Sequence, residues 1–245
     1  MDTNEMLFTI FKPVLYLIIF MIVITIIGAG LRILYINTKY KNLKYKAASG
    51  NGLLKTISNT DNYGEYLTFT SLEKLQGDNK ILSNVYIPKE DGTTTEIDLI
   101  MLNKSGIYVF ESKNYSGWIF GDEKNKNWTQ SLNRGTKNRF YNPIWQNKAH
   151  INALMKLLRD IDSNYFYSYI VFSERCELKK VSVTSSNVHI VKRNALLSKL
   201  KKDINGRKNV LSDSQITRIY EVLKSHSLAD KAVKEKHIEN IKSKL

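Results

Sequence analysis

An uncharged apolar run near the N-terminus limits the structures that this chain can adopt. Residues 14–31 read VLYLIIFMIVITIIGAGL, eighteen residues with no charged side chain, and residues 33–36 continue the apolar character past Arg32. A helix needs about 20 predominantly apolar residues to cross the hydrocarbon core of a bilayer, whereas a soluble helix normally keeps a polar face. The run therefore predicts a transmembrane helix over residues 13–36.

Two alternatives to a transmembrane helix are a buried helix of a soluble protein and a cleaved signal peptide. Gly28, Ala29 and Gly30 could serve as a small-residue cleavage site. However, the run exceeds the roughly 7–15 apolar residues of a signal peptide, and the residues before it carry two acids against Lys12 alone. We expect the helix to remain attached as a membrane anchor.

The charges that flank the run predict its orientation. Five cations follow it within a short distance: Arg32, Lys39, Lys41, Lys44 and Lys46. Short segments rich in Lys and Arg stay on the cytoplasmic side of a membrane. We expect a single-pass protein with its N-terminus outside and its body in the cytoplasm, a reducing compartment in which the lone Cys176 needs no disulfide partner.

The chain carries 37 Lys and Arg against 23 Asp and Glu, a formal charge of +14. Such an excess favours phosphate-rich partners, either nucleic acid or anionic lipid, and charge alone does not choose between them. The sequence contains no Walker loop, no G-x-G-x-x-G, no H-E-x-x-H and no G-x-S-x-G. Nucleotide-driven, dinucleotide-binding, zinc-protease and serine-hydrolase functions therefore lack support.

The remainder of the chain divides into three segments by composition. Residues 37–61 are polar and basic and predict a juxtamembrane linker. Residues 62–175 predict the main domain, and residues 176–245 a C-terminal strand followed by a basic helical extension, with the tail beginning near Lys231. Within these segments, apolar spacing and capping signals predict a helix over 63–75, strands over 81–87, 169–172 and 188–191, and helices from Pro143, over 196–204 and from Ser212.

Two apolar runs, residues 96–102 and 107–113, are joined by four turn-forming residues and predict a hairpin of largely buried strands. Each run contains an acid, Asp98 in the first and Glu111 in the second. An unpaired charge is costly in an apolar strand, so each acid needs a partner, and a metal ion is one candidate. A hairpin could bring both carboxylates to one end of the sheet, as a site for Mg²⁺ or Mn²⁺.

Lys113 follows Glu111 by two residues, so a strand projects both side chains to the same face. Phosphodiester hydrolysis uses a divalent metal to hold the phosphate and activate water, and a cation to stabilise the developing charge. Asp98 and Glu111 would supply the ligands for the metal, and Lys113 would supply the cation. The Glu-x-Lys pair alone is a weak motif, because any exposed strand can alternate an acid and a lysine.

The fuller pattern of motifs resembles the NERD family, the nuclease-related domain. The residues that carry the resemblance are Gly64-Glu65, Glu96-Ile97-Asp98-Leu99-Ile100, Phe110-Glu111-Ser112-Lys113-Asn114 with Gly117, and Asn142-Pro143 with Gln146 and His150. They cover about Tyr63 to Phe172. Ser112 departs from the aliphatic residue that the family commonly has there.

The resemblance implies an α/β fold, a restriction-endonuclease-like mixed sheet flanked by helices, with the chemistry of PD-(D/E)xK nucleases. It implies that Asp98 and Glu111 bind the metal and that Lys113 is the catalytic lysine. Glu65 would be an accessory acid on the first helix, and Gln146 a helix residue near the site. His150 shares the helix face of Gln146, although a histidine there is more often a packing or surface residue.

A basic stretch of the main domain, expected to form a loop, could contact a nucleic-acid backbone through Lys124, Lys126, Arg134, Lys137 and Arg139. Trp128, Phe140 and Tyr141 are interleaved with these cations, and the three tryptophans, Trp118, Trp128 and Trp145, could stack on bases or pack in the protein. A solvated loop is the alternative.

The leading prediction is a membrane-anchored, metal-dependent nuclease acting on DNA, or less readily on RNA. One alternative is a non-catalytic, membrane-tethered module that binds nucleic acid or a protein. A second is a structural membrane protein that assembles through its C-terminal helices. Retention of Asp98, Glu111 and Lys113 together favours the enzyme, because a binding module has no need of all three.

Overall fold

The computed structural model describes residues 3–41, 44–89, 91–132, 135–227 and 239. Arg134 and nearly all of the predicted tail from Lys231, for which functions are predicted above, lie outside these residues. The chain forms two compact units, Met1–Lys46 and Ala47–Leu245.

The first unit consists mainly of one long helix, α1 (Thr3–Lys41). Its stretch Phe11–Thr38 is 28 residues long, apolar and unburied. Within the described ranges it is the one helix long and apolar enough to cross a membrane, a statement about length and composition that leaves its orientation open. Two short helices follow, α2 (Lys44–Ser49) and α3 (Leu53–Ser58). The segment predicted as a linker thus contains helical turns, which are too short to show a sequence period.

The elements of the second unit that follow are α4 (Thr60–Leu72), β1 (Lys80–Pro88), β2 (Thr94–Asn103), β3 (Gly106–Lys113), β4 (Gly117–Asp122), β5 (Asn127–Ser131), β6 (Lys137–Tyr141), α5 (Pro143–Leu157), β7 (Phe166–Phe172), β8 (Cys176–Ser182), β9 (Val188–Lys192), α6 (Arg193–Asn205) and α7 (Asp213–Ser225). The larger sheet has the order β1-β2-β3-β7-β9 and the smaller sheet the order β6-β5-β4-β8. Both are mixed: β1, β2 and β3 pair antiparallel, whereas β7 joins β3 in parallel. The predicted α/β class, with mixed sheets flanked by helices, is confirmed.

Helices cover both faces of the larger sheet. On one face, apolar residues of α5 and α7 such as Leu154 and Ile219 form a core with Ile100 and Val109 of the hairpin. On the other face, Thr68 of α4 contacts Ser112, and α6 reaches β7. Because successive strand residues point to opposite faces, Glu111 and Lys113 lie on the α5 face.

Local signals placed the hairpin and the start of α5 correctly. Asn103 pairs with Gly106, which leaves a two-residue turn, and Gly106 has a φ of +142° that only glycine adopts easily. Asn142 caps α5 by accepting a hydrogen bond from the Ile144 N–H at 2.9 Å, with Pro143 in the first turn. The predicted capping box at Ser212 is also present.

The expectation that the basic stretch from Lys124 to Arg139 forms a single loop is wrong. The chain there forms β5 and β6, which join β4 as three antiparallel strands of the smaller sheet. The sheet has one apolar face, where Ile119, Trp128 and Cys176 pack with Ile144 and Phe172. Its other face combines aromatic, polar and basic residues, and β6 is an edge strand of mostly exposed residues. Short strands that carry charges on one face give little sequence signal.

Candidate active site

The two strand acids face each other at the open end of the hairpin. Leu99 pairs with Phe110 across β2 and β3, so Asp98 and Glu111 are the next residues outward on the two strands. Opposed residues of an antiparallel pair project to the same face. The carboxyl Oδ2 of Asp98 accepts a hydrogen bond from the Ser112 N–H at 2.8 Å, which fixes that acid against the neighbouring strand.

Lys113 joins these acids on the same face. Its Nζ lies 2.6 Å from Glu111 Oε1 and donates a hydrogen bond to Gln146 Oε1 at 3.1 Å. An ammonium group has three N–H donors, so these two contacts leave a third. Gln146 therefore holds the lysine from the first turns of α5, near the place that the resemblance implied.

The second oxygen of Glu111 contacts His150 of α5. His150 Nε2 lies 3.2 Å from Glu111 Oε2, and its Nδ1 lies 2.7 Å from the Thr95 hydroxyl of β2. His150 is buried, which agrees with the packing half of the expectation, and its two ring nitrogens both contact residues of the site. The i, i+4 spacing from Gln146, which puts both residues on one helix face, was the signal for it.

These contacts shift the pKa values of the two acids in opposite directions. Burial and the nearby Glu111 charge raise the pKa of Asp98 well above its ordinary value. Burial also opposes ionisation of Glu111, but the Lys113 charge and the His150 hydrogen bond outweigh it and lower the pKa of Glu111. Burial likewise opposes the Lys113 charge, yet Glu111 and Asp98 raise the pKa of Lys113. Glu111 and Lys113 therefore form a buried ion pair beside a carboxyl that resists ionisation.

Glu65, on the neighbouring helix α4, also lies in the site. Gly64 permits this close packing, because a Cβ at that position would lie 2.7 Å from Asn114 Cβ just beyond Lys113. Glu65 is buried, and among the described residues its Oε2 has no hydrogen-bond partner. Burial, followed by the charges of Asp98 and Glu96, raises the pKa of Glu65 well above its ordinary value.

Sequence reasoning missed a hydrogen-bonded cluster between β1 and β2. Glu96 Oε1 accepts hydrogen bonds from the Tyr86 hydroxyl at 2.5 Å and from Asn84 Nδ2 at 3.1 Å. Asn84 has a φ of +53°, the left-handed region that asparagine tolerates better than most residues. A single left-handed residue inside a strand leaves no periodic signal, so this cluster emerges only from the fold.

One cleft of about 610 Å³ brings together the six side chains considered for the chemistry: Glu65, Asp98, Glu111, Lys113, Gln146 and His150. Across the described part of the chain, no group of three Asp, Glu, His or Cys side chains is arranged to hold a metal. The facing carboxylates of Asp98 and Glu111 nevertheless fit Mg²⁺, which usually keeps several waters and takes one or two carboxylates plus phosphate oxygens. The unpaired oxygen of Glu65 is a further acceptor in the same cleft.

The structure does not bring the predicted nucleic-acid-binding cations into this cleft. Lys124 and Lys126 are exposed in the loop between β4 and β5, and Lys137 and Arg139 are exposed on β6. Arg134 belongs to the residues that the structure leaves undescribed. Of the tryptophans, Trp128 is buried in the core of the smaller sheet, whereas Trp118 and Trp145 are exposed.

The fold and the cleft agree with what comparison with known proteins shows. The family model for the nuclease-related domain matches residues 60–173, the segment that contains all six cleft residues. This chain belongs to the nuclease-related domain family.

A curated relative extends the similarity beyond that domain. The uncharacterized protein pXO1-01 of Bacillus anthracis is 35% identical to this chain over 183 residues. The match covers 74% of this chain and 83% of the relative. It therefore includes residues outside the matched domain, and the name of the relative assigns it no activity.

Proposed function

We propose that this protein is a membrane-anchored, metal-dependent nuclease that hydrolyses phosphodiester bonds, with DNA as its substrate. The observation that carries the proposal is the convergence of Asp98, Glu111 and Lys113 in one cleft, supported by the nuclease-related domain that contains them. Asp98 and Glu111 would hold Mg²⁺ or Mn²⁺, which when bound polarises the scissile phosphate and activates water.

The protein's own groups have separate roles in this scheme. Lys113, through the donor that Glu111 and Gln146 leave available, would stabilise negative charge on the phosphate oxygens. Gln146 orients the lysine, and His150 with Thr95 orients Glu111. Glu65 is proposed as an accessory acid facing the same cleft.

The cations of the smaller sheet and its loops are proposed to bind the substrate backbone rather than to take part in the reaction. Lys124, Lys126, Lys137 and Arg139 are all exposed, and Arg134 is part of the same proposal. Contacts between such cations and phosphates give affinity that falls steeply with salt, because each contact releases counterions. The undescribed C-terminal tail from Lys231 is the other basic candidate for this role.

The membrane part of the proposal rests on α1. Its stretch Phe11–Thr38 has the length and apolarity of a bilayer span, and its side chains are exposed. We propose that it anchors the chain, with the N-terminus outside and the body in the cytoplasm, because cations follow it.

A nuclease assay on the full chain in non-ionic detergent tests the proposal. With Mg²⁺ or Mn²⁺ it should cut DNA, with EDTA it should not, and Asp98→Asn, Glu111→Gln and Lys113→Met should each abolish cutting while leaving most binding intact. The matched control is the exposed ion pair Lys104–Asp213, whose atoms lie 2.9 Å apart outside the cleft. Lys104→Met with Asp213→Asn should cut normally.

A non-catalytic binding module is the second candidate. The lack of a three-ligand metal group among the described residues favours it. If the folded protein binds DNA but does not cut it with any divalent metal, or if the three cleft variants cut normally, the catalytic assignment is wrong. The binding module then becomes the better proposal.

A further inference from the structure

The smaller sheet has an outer face that the proposed reaction does not use. Along β4, Ile119 points into the core, so its neighbours Trp118 and Phe120 point away from it. Along β6, Phe140 packs against the core, so Arg139 and Tyr141 point outward. Exposure agrees with this alternation, because about half of the Trp118 and Tyr141 side chains is accessible to solvent, whereas Phe120 is partly buried.

Strand register arranges this outer face in rows that each combine an aromatic ring with a cation. Trp118 of β4 pairs with Ser131 of β5, which pairs with Lys137 of β6. In the next row, Phe120 pairs with Thr129, which pairs with Arg139. The ring and the cation of each row are two strand spacings apart, about 9–10 Å. A small hydroxyl residue lies between them, which leaves the space above the middle strand open.

Further cations surround Trp118. A cleft of about 680 Å³ beside it is lined by Arg175, Lys192 and the acid Glu177. Lys179 Nζ lies 5.0 Å from the centre of the Trp118 ring, a cation–π contact, and also pairs with Glu177 at 2.7 Å. The surroundings of the ring are therefore positively charged on balance, which complements a phosphate backbone.

We propose that the outer face of the smaller sheet binds single-stranded nucleic acid, with bases stacked on Trp118 and Phe120 and phosphates paired with Lys137 and Arg139. Exposed rings beside cations suit a single strand because its bases present free faces, whereas those of a duplex are stacked inside. The proposal rests on the proposed function in taking nucleic acid as the substrate and Lys137 and Arg139 as contacts to its backbone.

The position of this face suits delivery of a strand to the cleft. Trp118 follows Lys113 by five positions, so their Cα atoms lie within about 18 Å, the span of a fully extended chain of that length. The segment that leads into β8, the strand paired with Trp118, also contacts the end of β3, because Arg175 donates a hydrogen bond to the Asn114 carbonyl at 2.8 Å and the Ser173 N–H donates to the Lys113 carbonyl at 2.9 Å. A strand held on the sheet is thus a few nucleotides from the acids.

The test is fluorescence anisotropy of labelled 20-nucleotide oligo-dT, and of a duplex of the same length, with the full chain in detergent and EDTA. Trp118→Ala should weaken oligo-dT binding about tenfold, since stacking contributes about 1–3 kcal/mol per base. Trp118→Phe should retain most of the affinity, and duplex binding should change less than about twofold. Lys137→Ala with Arg139→Ala should flatten the salt dependence, by about 0.7 in logarithmic slope for each lost phosphate contact.

Lys201→Ala with Lys208→Ala removes the same charge from exposed positions elsewhere and should leave the slope unchanged. Unchanged oligo-dT affinity in Trp118→Ala would assign the face to another occupant and overturn the proposal. An equal loss for duplex would overturn its preference for single strands. EDTA prevents metal-dependent cutting, so this assay measures binding alone. If the protein binds oligo-dT through Trp118 but does not cleave with any divalent metal, the nuclease proposal is refuted and the binding proposal stands.

Discussion

Lys113 Nζ lies 2.6 Å from Glu111 Oε1, two residues away on the same strand, in a pair that is almost fully buried at Glu111. The two groups therefore determine each other's charge, since the ammonium keeps the carboxyl ionised and the carboxylate keeps the lysine protonated. In the proposed mechanism this pair must also share a phosphate and a metal. Substituting each member of the pair distinguishes its role. Substituting a neighbouring residue shows which member that neighbour positions.

Replacing Lys113 should remove transition-state stabilisation with little effect on substrate affinity. Lys113→Met keeps the length of the side chain without its charge, and loss of one such donor typically costs 10²–10³-fold in rate. We expect kcat for DNA cleavage to fall by about that factor and KM to change less than about threefold. Steady-state kinetics with Mg²⁺ measure both. A rise in KM at constant kcat would instead make Lys113 a binding residue.

The two acids should have opposite effects on stability in the absence of metal. Repulsion between two neighbouring carboxylates predicts that removal of either acid leaves the protein as stable as the parent or more so. The structure predicts this only for Asp98→Asn, which relieves the repulsion that raises the pKa of Asp98 and can still accept from the Ser112 N–H. Glu111→Gln breaks a buried ion pair and should destabilise the fold by about 3 kcal/mol.

Thermal unfolding in EDTA distinguishes these outcomes: Tm should rise for Asp98→Asn and fall for Glu111→Gln. The exposed acid Asp213, replaced by Asn, controls for loss of one charge. Equal shifts for both cleft acids would contradict the assignment of Lys113 to Glu111.

His150 should act as a positioning residue for Glu111. His150→Ala removes the contacts to Glu111 and Thr95, and loss of a group that orients a metal ligand typically weakens metal affinity 10–100-fold. We expect the Mg²⁺ concentration for half-maximal cleavage to rise within that range, while the rate at saturating Mg²⁺ falls much less. His150→Gln, which can still donate to Glu111, should restore part of the affinity. A fall in Tm alone, with unchanged Mg²⁺ dependence, would make the role purely structural.

Acid should remove a contact that ties the smaller sheet to the loop before β9. Glu123 accepts hydrogen bonds from the backbone and hydroxyl groups of Thr184 and Ser185. Its slight burial acts against ionisation, but these hydrogen bonds outweigh it and lower the pKa of Glu123 to about 2. The folded-state pKa lies below the ordinary value of 4.5. The stabilisation is therefore complete above pH 4.5 and is lost as pH falls towards 2.

The Tm difference between the parent and Glu123→Gln should accordingly be largest near neutral pH and shrink as pH falls from 4.5 towards 2. Because Glu123 is mostly exposed, solvent screening keeps the difference small. Glu177→Gln on β8, an exposed acid without such backbone contacts, serves as the control. A constant difference across this range would show that the carboxylate charge does not contribute.

The anchor proposal predicts how the chain behaves in cell fractions. The protein should sediment with membranes and resist extraction by high salt or alkaline carbonate, because the apolar helix α1 holds it. Protease added to intact cells should spare the body. Release by salt alone would show that the protein only lies on the membrane surface, and digestion of the body from outside would reverse the proposed topology.

The sequence alone determined those parts of the structure that depend on local patterns. The uncharged run predicts an apolar helix, the paired apolar runs around Asn103–Gly106 predict the hairpin, and Asn142 and Ser212 predict helix starts. Each of these signals lies within a few residues of the feature that it specifies, because caps, turns and side-chain periodicity are properties of neighbouring residues. The predicted hairpin also implies that Asp98, Glu111 and Lys113 lie close together, without any information on how the helices pack.

Tertiary structure alone decided how these residues are held and which surfaces remain exposed. His150 and Glu111 are 39 residues apart along the chain, and Thr95 and His150 are 55 residues apart. The smaller sheet escaped sequence reasoning for a related reason, because its strands are short and its apolar face is completed by Ile144 and Phe172 from other elements. Burial of Trp128 and exposure of Trp118 follow from which face that core covers, since residue type is the same at both positions.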